Sequence, residues 1–203
     1  MTMQKLRSVR TVEPTASLIT IPEARTQVRW DDNVDTEVDG NLTLLIAAVM
    51  SHLDGVDGIL GRALVSQTWV DTASGFPVGD ELTVTLAPVI SISGITYYDR
   101  DNVQRTFDPS GYSLHSRFDG GYIKRGSQVA WPATYDRDDA VAVTYVAGYG
   151  EAATDVPAAI KLAGLKLLAH WFDNPEAVLV GTISAPLPMG VQRLLRSYIR
   201  PHF

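Results

Sequence analysis

The stretch Val156–Phe172, VPAAIKLAGLKLLAHWF, decides the fold. Ile160, Ala163, Leu167, Leu168, Trp171 and Phe172 recur at spacings of three and four, which places them on one face of a helix. Thr154 or Asp155 is expected to cap it, because a short side-chain oxygen accepts from the free N–H groups of the first turn. Pro157 suits that turn, where a missing N–H costs nothing. Asn174-Pro175 stops the helix, since proline disfavours the α conformation in the residue before it. Far upstream, Val38, Leu42, Leu45, Ile46, Val49, Leu53, Val56 and Leu60 make a second helical stripe, expected to end near Gly61. The chain therefore builds half of a helical core, inserts something else, and returns to finish the core.

What it inserts reads as β. From Ala63 the apolar period becomes two. Strands are expected over 64–70, 81–86, 89–98, 103–107, 112–115, 121–124 and 140–146. Asp99–Asn102 and Asp108-Pro109-Ser110-Gly111 supply turn chemistry between them. Short, evenly spaced strands suggest a small antiparallel sandwich or barrel. The class is α+β: a flexible N-terminal arm at 1–18, a discontinuous helical core at 19–62 and 154–199, an inserted β domain at 63–150, and a C-terminal tail at 200–203.

Around this frame lie shorter elements. Thr20-Ile21-Pro22-Glu23 opens a brief helix reaching about Trp30, with Thr20 and Glu23 placed to form a capping box. Glu176–Val180 can add a helical turn, and 181–188 reads as extended. Val191, Leu194, Leu195 and Tyr198 then form a short amphipathic helix. The chain ends Arg200-Pro201-His202-Phe203, and a terminal aromatic beside Arg suits an anchor, because aromatics and Arg supply most interface hot spots.

Composition narrows the chemistry. The 203 residues are 45% hydrophobic and 20% charged, as in a globular protein. With no cysteine, disulfides, thiolate metal sites and cysteine nucleophiles are excluded. MTMQKLRSVR has a basic start without a following apolar run, so no secretory signal is expected. No apolar run approaches the ~18 residues that span a bilayer, so no membrane partner is expected. The net charge of −6 is uneven: Lys5, Arg7 and Arg10 at one end, and Arg193, Arg196 and Arg200 at the other, have no acid among them. The body between is thus more acidic than the total, which argues against a DNA-binding surface needing clustered cations.

Local catalytic motifs are missing. His52, His115, His170 and His202 form no HxxxH or HxH pair, against a zinc cluster. A calcium loop starting at Asp35 would place Glu37, Asp39 and Gly40 correctly but puts Ile46 where a bidentate Glu is needed. Gly148-Tyr149-Gly150 is followed by no Lys-Ser/Thr, and no Gly-x-Ser-x-Gly elbow occurs. Asp136-Arg137-Asp138-Asp139 reads as a solvated loop. No enzyme activity and no cofactor is expected. Tyr97, Tyr98, Tyr112 and Trp131 can line a carbohydrate face or act as cross-strand pairs, so a carbohydrate- or surface-binding β module on a helical base stays open as the alternative function.

Four stretches together resemble the head–tail connector (adaptor) proteins of tailed bacteriophages, in the branch that inserts a β domain between connector helices. They are Leu45–Ala48 through Leu60-Gly61-Arg62-Ala63-Leu64 to Gln67-Thr68-Trp69; Leu86-Ala87-Pro88-Val89 with Ile95-Thr96-Tyr97-Tyr98-Asp99; Val143–Gly150 with Val156-Pro157 and Ala169-His170-Trp171-Phe172; and Gly181–Ala185 to Leu187-Pro188, Gly190-Val191 and Leu194-Leu195. Order and spacing carry the likeness, from about Ile21 to Tyr198. Asp173-Asn174-Pro175 departs from the pattern, which has a more helix-compatible, Arg-containing segment there. Adaptors of gene transfer agents share the architecture.

The resemblance implies a connector helical bundle with an inserted small antiparallel β-sandwich or barrel. It implies a homo-oligomeric ring of twelve copies at the head–tail interface of a phage or phage-like particle, assembled in the bacterial cytoplasm. The ring would bridge the portal protein to the stopper, head-closure or tail protein, and DNA would pass through it without sequence-specific binding. The family's C-terminal segment docks into the portal, and Arg193, Arg196, Arg200 and Phe203 match that role. Deleting 196–203 is then expected to abolish attachment and leave the fold intact.

Overall fold

The computed structural model describes residues 7–30, 36–117, 120–175 and 188–200. The chain divides into two compact units, one drawn from Met1–Thr15 and Ser66–Tyr149, the other from Ala16–Val65 and Gly150–Phe203. The class is α+β, with four α-helices and two antiparallel sheets among the described residues.

In the first unit, a five-stranded sheet has the order β1-β2-β8-β4-β5 and a three-stranded sheet the order β3-β7-β6. The strands are β1 (Arg7–Val12), β2 (Gln67–Ala73), β3 (Glu81–Thr83), β4 (Val89–Tyr98), β5 (Gln104–Thr106), β6 (Tyr112–Arg117), β7 (Gly120–Arg125) and β8 (Val141–Ala147). The strict alternation of β2 and β8 turns Trp69, Asp71 and Ala73 inward beside Val141, Val143 and Tyr145. Gly121 of β7 lies so close to β4 that a Cβ there would stand 2.6 Å from Val89 Cγ2.

Three expectations are corrected in this unit. Residues 7–12, read as part of a flexible arm, form β1 and pair with β2 from Arg7↔Thr72 to Val12↔Thr68. Four of the six residues of RSVRTV are charged or polar and its two valines stand three apart, so the period-two signal of a strand is missing. The first inserted strand begins at Gln67, not Leu64, because Leu64 and Val65 are fully buried in the helical unit. The strand expected over 81–86 ends at Thr83. Beyond it the backbone N–H of Thr85 donates to the Asp71 carboxylate at 2.6 Å, and that of Leu86 to the Tyr145 hydroxyl at 3.2 Å.

In the second unit, α1 (Ile21–Val28), α2 (Thr36–Leu53) and α3 (Ala158–Asp173) each pack on the other two, and α4 (Met189–Leu195) packs on α3. The capping box forms: Thr20 Oγ1 accepts from the Glu23 N–H, and Glu23 Oε2 accepts from the Thr20 N–H at 3.0 Å. Lys161 Nζ reaches Glu23 at 2.6 Å, tying α3 to α1. Arg25 makes a two-pronged contact with Asp39, at 2.7 and 2.6 Å, tying α1 to α2. Leu42, Val49, Leu53, Ile160, Ala163 and Leu168 fill the centre.

Two helix ends differ from expectation. Helix α2 stops at Leu53. The following residues fold back: Gly55, at φ 83°, donates its N–H to Arg62 O, and Asp54 Oδ1 accepts from the Leu64 N–H at 2.7 Å. Val56 and Leu60 keep the helical period but belong to this loop. Helix α3 has Pro157 at its N-cap and no side-chain cap, since the Asp155 carboxylate accepts from the Ala152 N–H at 2.9 Å. The readings of 1–6, the helical turn at 176–180, the extended run at 181–187 and the end at 201–203 lie outside the described residues.

Candidate partner-binding surface

The C-terminal residues are presented by α4. Pro188 accepts from the N–H groups of Val191 and Gln192, which starts the helix. Val191 and Leu195, one turn apart, are buried. The opposite side carries Arg193, and Arg196 follows at the C-cap; both are exposed. The chain is then clasped: Arg62 Nε donates to Tyr198 O at 2.6 Å, and the Arg200 N–H donates to Leu60 O at 3.0 Å.

This clasp frames a groove of about 480 Å³ lined by Ile59, Gln192, Arg193, Leu195, Arg196 and Ile199. Ile199 remains 45% exposed at its side, and Met189 at the start of α4 is 75% exposed. The surface is an apolar trough with two guanidinium groups on its rim. It suits a segment combining an apolar side chain with carboxylates, since a guanidinium grips carboxylates bidentately.

Of the expected anchor residues, the structure brings Arg193 and Arg196 to this groove. Arg200 is half-buried and is not among the lining residues, and Phe203 lies outside the described residues. Sequence reasoning missed Ile59 and Ile199. Ile59 sits between Gly58 and Leu60 in what looked like the end of a helix, and Ile199 follows Leu195 by four residues, so a helical extension of the C-terminal stripe was its only signal.

The remaining candidates have local structural explanations. The ring of His52 meets Trp171 edge-on at 5.8 Å, and burial pushes its pKa below the usual histidine value. His115 lies on Tyr122 and pairs with Ser113, while the Asn174 amide donates to His170 O at 2.9 Å and stands 3.5 Å from the His170 ring Nδ1. No group of three or more metal-ligating side chains converges among the described residues. Arg137 grips Asp139 with both prongs, 2.5 and 2.8 Å, and covers the Tyr98 ring at 3.7 Å. Trp131 stacks on Phe76 at 4.8 Å and donates its indole N–H to Gly79 O. Tyr97 meets Phe76 and Tyr112 meets Phe107. Of the aromatics considered for a glycan face, Tyr97, Tyr112 and Trp131 thus rest on Phe76 and Phe107, and Tyr98 lies under the Arg137 guanidinium.

No family model and no curated protein matches the chain. Solved structures do share its fold. One is a chain in the virion of a native gene transfer agent (GTA) particle, with a TM-score of 0.69 at 19% identity, covering 97% of this chain and 96% of that one. A chain in the neck of an empty GTA particle computed with C6 symmetry gives 0.69 at 19% identity, over 98% and 97%. A chain in the neck of a native GTA particle computed with C12 symmetry gives 0.62 at 19% identity, over 95% and 97%.

Proposed function

We propose that this chain is a structural, non-enzymatic head–tail connector subunit of a gene transfer agent or phage-like particle. In this reading its helices are the connector bundle and its two sheets the inserted β domain. The observation that carries it is a fold shared end to end with chains of a particle neck, rather than over one unit alone. Neck assemblies computed with sixfold and twelvefold symmetry favour a ring of copies, for which twelve is the proposed number. The ring bridges the portal to a stopper or tail protein, and DNA passes through it. The portal-side contact is the groove carrying Arg193 and Arg196, and Arg200 and Phe203, which follow in sequence, take part in docking.

The test is to mix the purified protein with portal rings or tailless particles and image the product by electron microscopy. A new ring of density at the portal vertex is expected. The double charge reversal R193E/R196E, on exposed side chains, should abolish that density while shifting stability by no more than about 0.5 kcal/mol. Wild-type protein that adds no density sinks the connector reading; wild-type attachment that survives the reversal sinks only the assigned docking site.

A further inference from the structure

The walls of the α4 groove come from two segments far apart in sequence. Ile59 stands on the loop that follows α2, and Gln192, Arg193, Leu195, Arg196 and Ile199 stand on α4 and the turn after it. Each wall is ordered on its own side. The Ile59 N–H donates to His52 O at 2.9 Å, the Gly55 N–H to Arg62 O at 2.8 Å, and the Leu64 N–H to the Asp54 carboxylate at 2.7 Å, which closes the loop against the end of α2. The N–H groups of Tyr198 and Ile199 both return to Leu195 O, at 2.8 and 3.1 Å, which fixes the turn to α4.

Arg62 ties one wall to the other. Its Nε donates to Tyr198 O at 2.6 Å, across 136 positions of sequence. The Arg200 N–H adds a backbone bond to Leu60 O at 3.0 Å. The Arg62 bond is made by a side chain with a charged donor, which is the stronger kind. Arg62 is half-buried and does not itself line the groove. It acts through Tyr198, which stands between the lining residues Arg196 and Ile199.

We infer that Arg62 is a positioning residue for docking. Its bond to Tyr198 O holds Arg196 and Ile199 in register with Ile59, so that apolar floor and guanidinium rim reach the portal as one preformed surface. The Arg193 and Arg196 side chains enter no ion pair among the described residues, which leaves their charges to a carboxylate-bearing segment of the partner. A surface ordered before binding loses less conformational freedom on binding, and affinity rises for that reason. This role rests on the docking groove of the connector reading.

Arg62→Met keeps the aliphatic stem and removes the donor, while Arg62→Lys keeps a charged donor. Attachment to portal rings is titrated for both, alone and combined with Arg196→Gln. Arg62→Met is expected to weaken attachment about tenfold, the factor that follows from losing one charge-assisted hydrogen bond, and Arg62→Lys to recover most of it. In protein already carrying Arg196→Gln, Arg62→Met should cost less than about threefold, because the guanidinium it misplaces is gone; equal factors in both backgrounds would mean a merely stabilising role and overturn the positioning one. Amide hydrogen exchange on the free protein gives a second readout that needs no portal. Exchange at Ile199 and Arg200 should quicken in Arg62→Met while exchange at Leu167 of α3 stays as in the wild type. Uniform quickening, or none, overturns the positioning role, as does equal attachment of wild type and Arg62→Met. Those outcomes leave the connector reading standing; wild-type protein that fails to attach to portal rings overturns both.

Discussion

Asp71 shows how a single residue can hold several segments. It is almost wholly buried in the β unit, and its carboxylate accepts from Ser8 Oγ at 2.6 Å, the Thr85 N–H at 2.6 Å and the Tyr145 hydroxyl at 3.2 Å. One acid thereby joins β1, β2, β8 and the chain after β3. Burial pushes its pKa above the ordinary carboxylate range, although the Ser8, Thr85 and Tyr145 hydrogen bonds oppose the shift. The folded state therefore holds this proton more tightly than the unfolded chain does. The stability so gained is fully present below the unfolded carboxylate pKa and is lost as pH rises through the higher folded one. Urea unfolding at a series of pH values should show that loss in the wild type, and Asp71→Asn should flatten it. Asp71→Ala leaves a buried N–H and two hydroxyls without their acceptor and should cost about 2 kcal/mol or more at every pH. A wild-type curve parallel to that of Asp71→Asn would refute the assignment. The strand expected over 64–70 stops one residue short of Asp71, whose partners come from residues 8, 85 and 145, separations no local pattern spans.

At the scale of the element, the decisive feature is the fold-back that ends α2. A Cβ on Gly58 would lie 2.5 Å from Asp54 O, a backbone atom that cannot step aside. Gly58→Ala should therefore destabilise the helical unit by about 1–3 kcal/mol, the usual cost of overpacking, measured by denaturant unfolding. A neutral substitution would mean that the loop does not close as described. The same loop alters the reading of the C-terminus. Leu60 O accepts from the Arg200 N–H and the Arg62 side chain donates to Tyr198 O, so residues 196–200 are part of the fold rather than a detachable tail. Deletion of 196–203 is now expected to lower the melting temperature as well as attachment, by several degrees. Circular dichroism of the truncated chain checks this, and an unchanged melting curve would restore the simpler view. Stripe and spacing made α2, α3 and α4 legible beforehand, because burying one face at a 3.6-residue period leaves a local mark, and the capping-box residues Thr20 and Glu23 marked α1. Their exact ends did not, because Asp54, Gly55 and Asp155 spend their hydrogen bonds on residues the helix pattern does not include.

For the molecule as a whole, charge is the property that bears on DNA. The chain carries a net charge of −6, and three of its cations are gathered at 193–200. In the proposed connector ring, a wall of such subunits would repel the phosphate backbone of the DNA. Purified protein should not retain duplex DNA at about 0.1 M salt, where exposed charges are felt over ~10 Å. Retention that weakens steeply with added salt would point instead to a cationic face that binds DNA.

The sequence by itself determined the class and order of elements: a helical stripe, a run of alternating strands, and a second stripe that completes the first. It determined these because burial of one face imposes a period that can be counted along the chain. It also settled the absence of cysteine chemistry and the segregation of charge. Tertiary structure alone decided that β1 leaves the arm for the sheet edge, that α2 turns back at Leu53, and that Ile59 and Ile199 meet Arg193 and Arg196 around one groove. Those facts depend on contacts between residues many positions apart, where the energy lies in which surfaces meet and not in any local repeat.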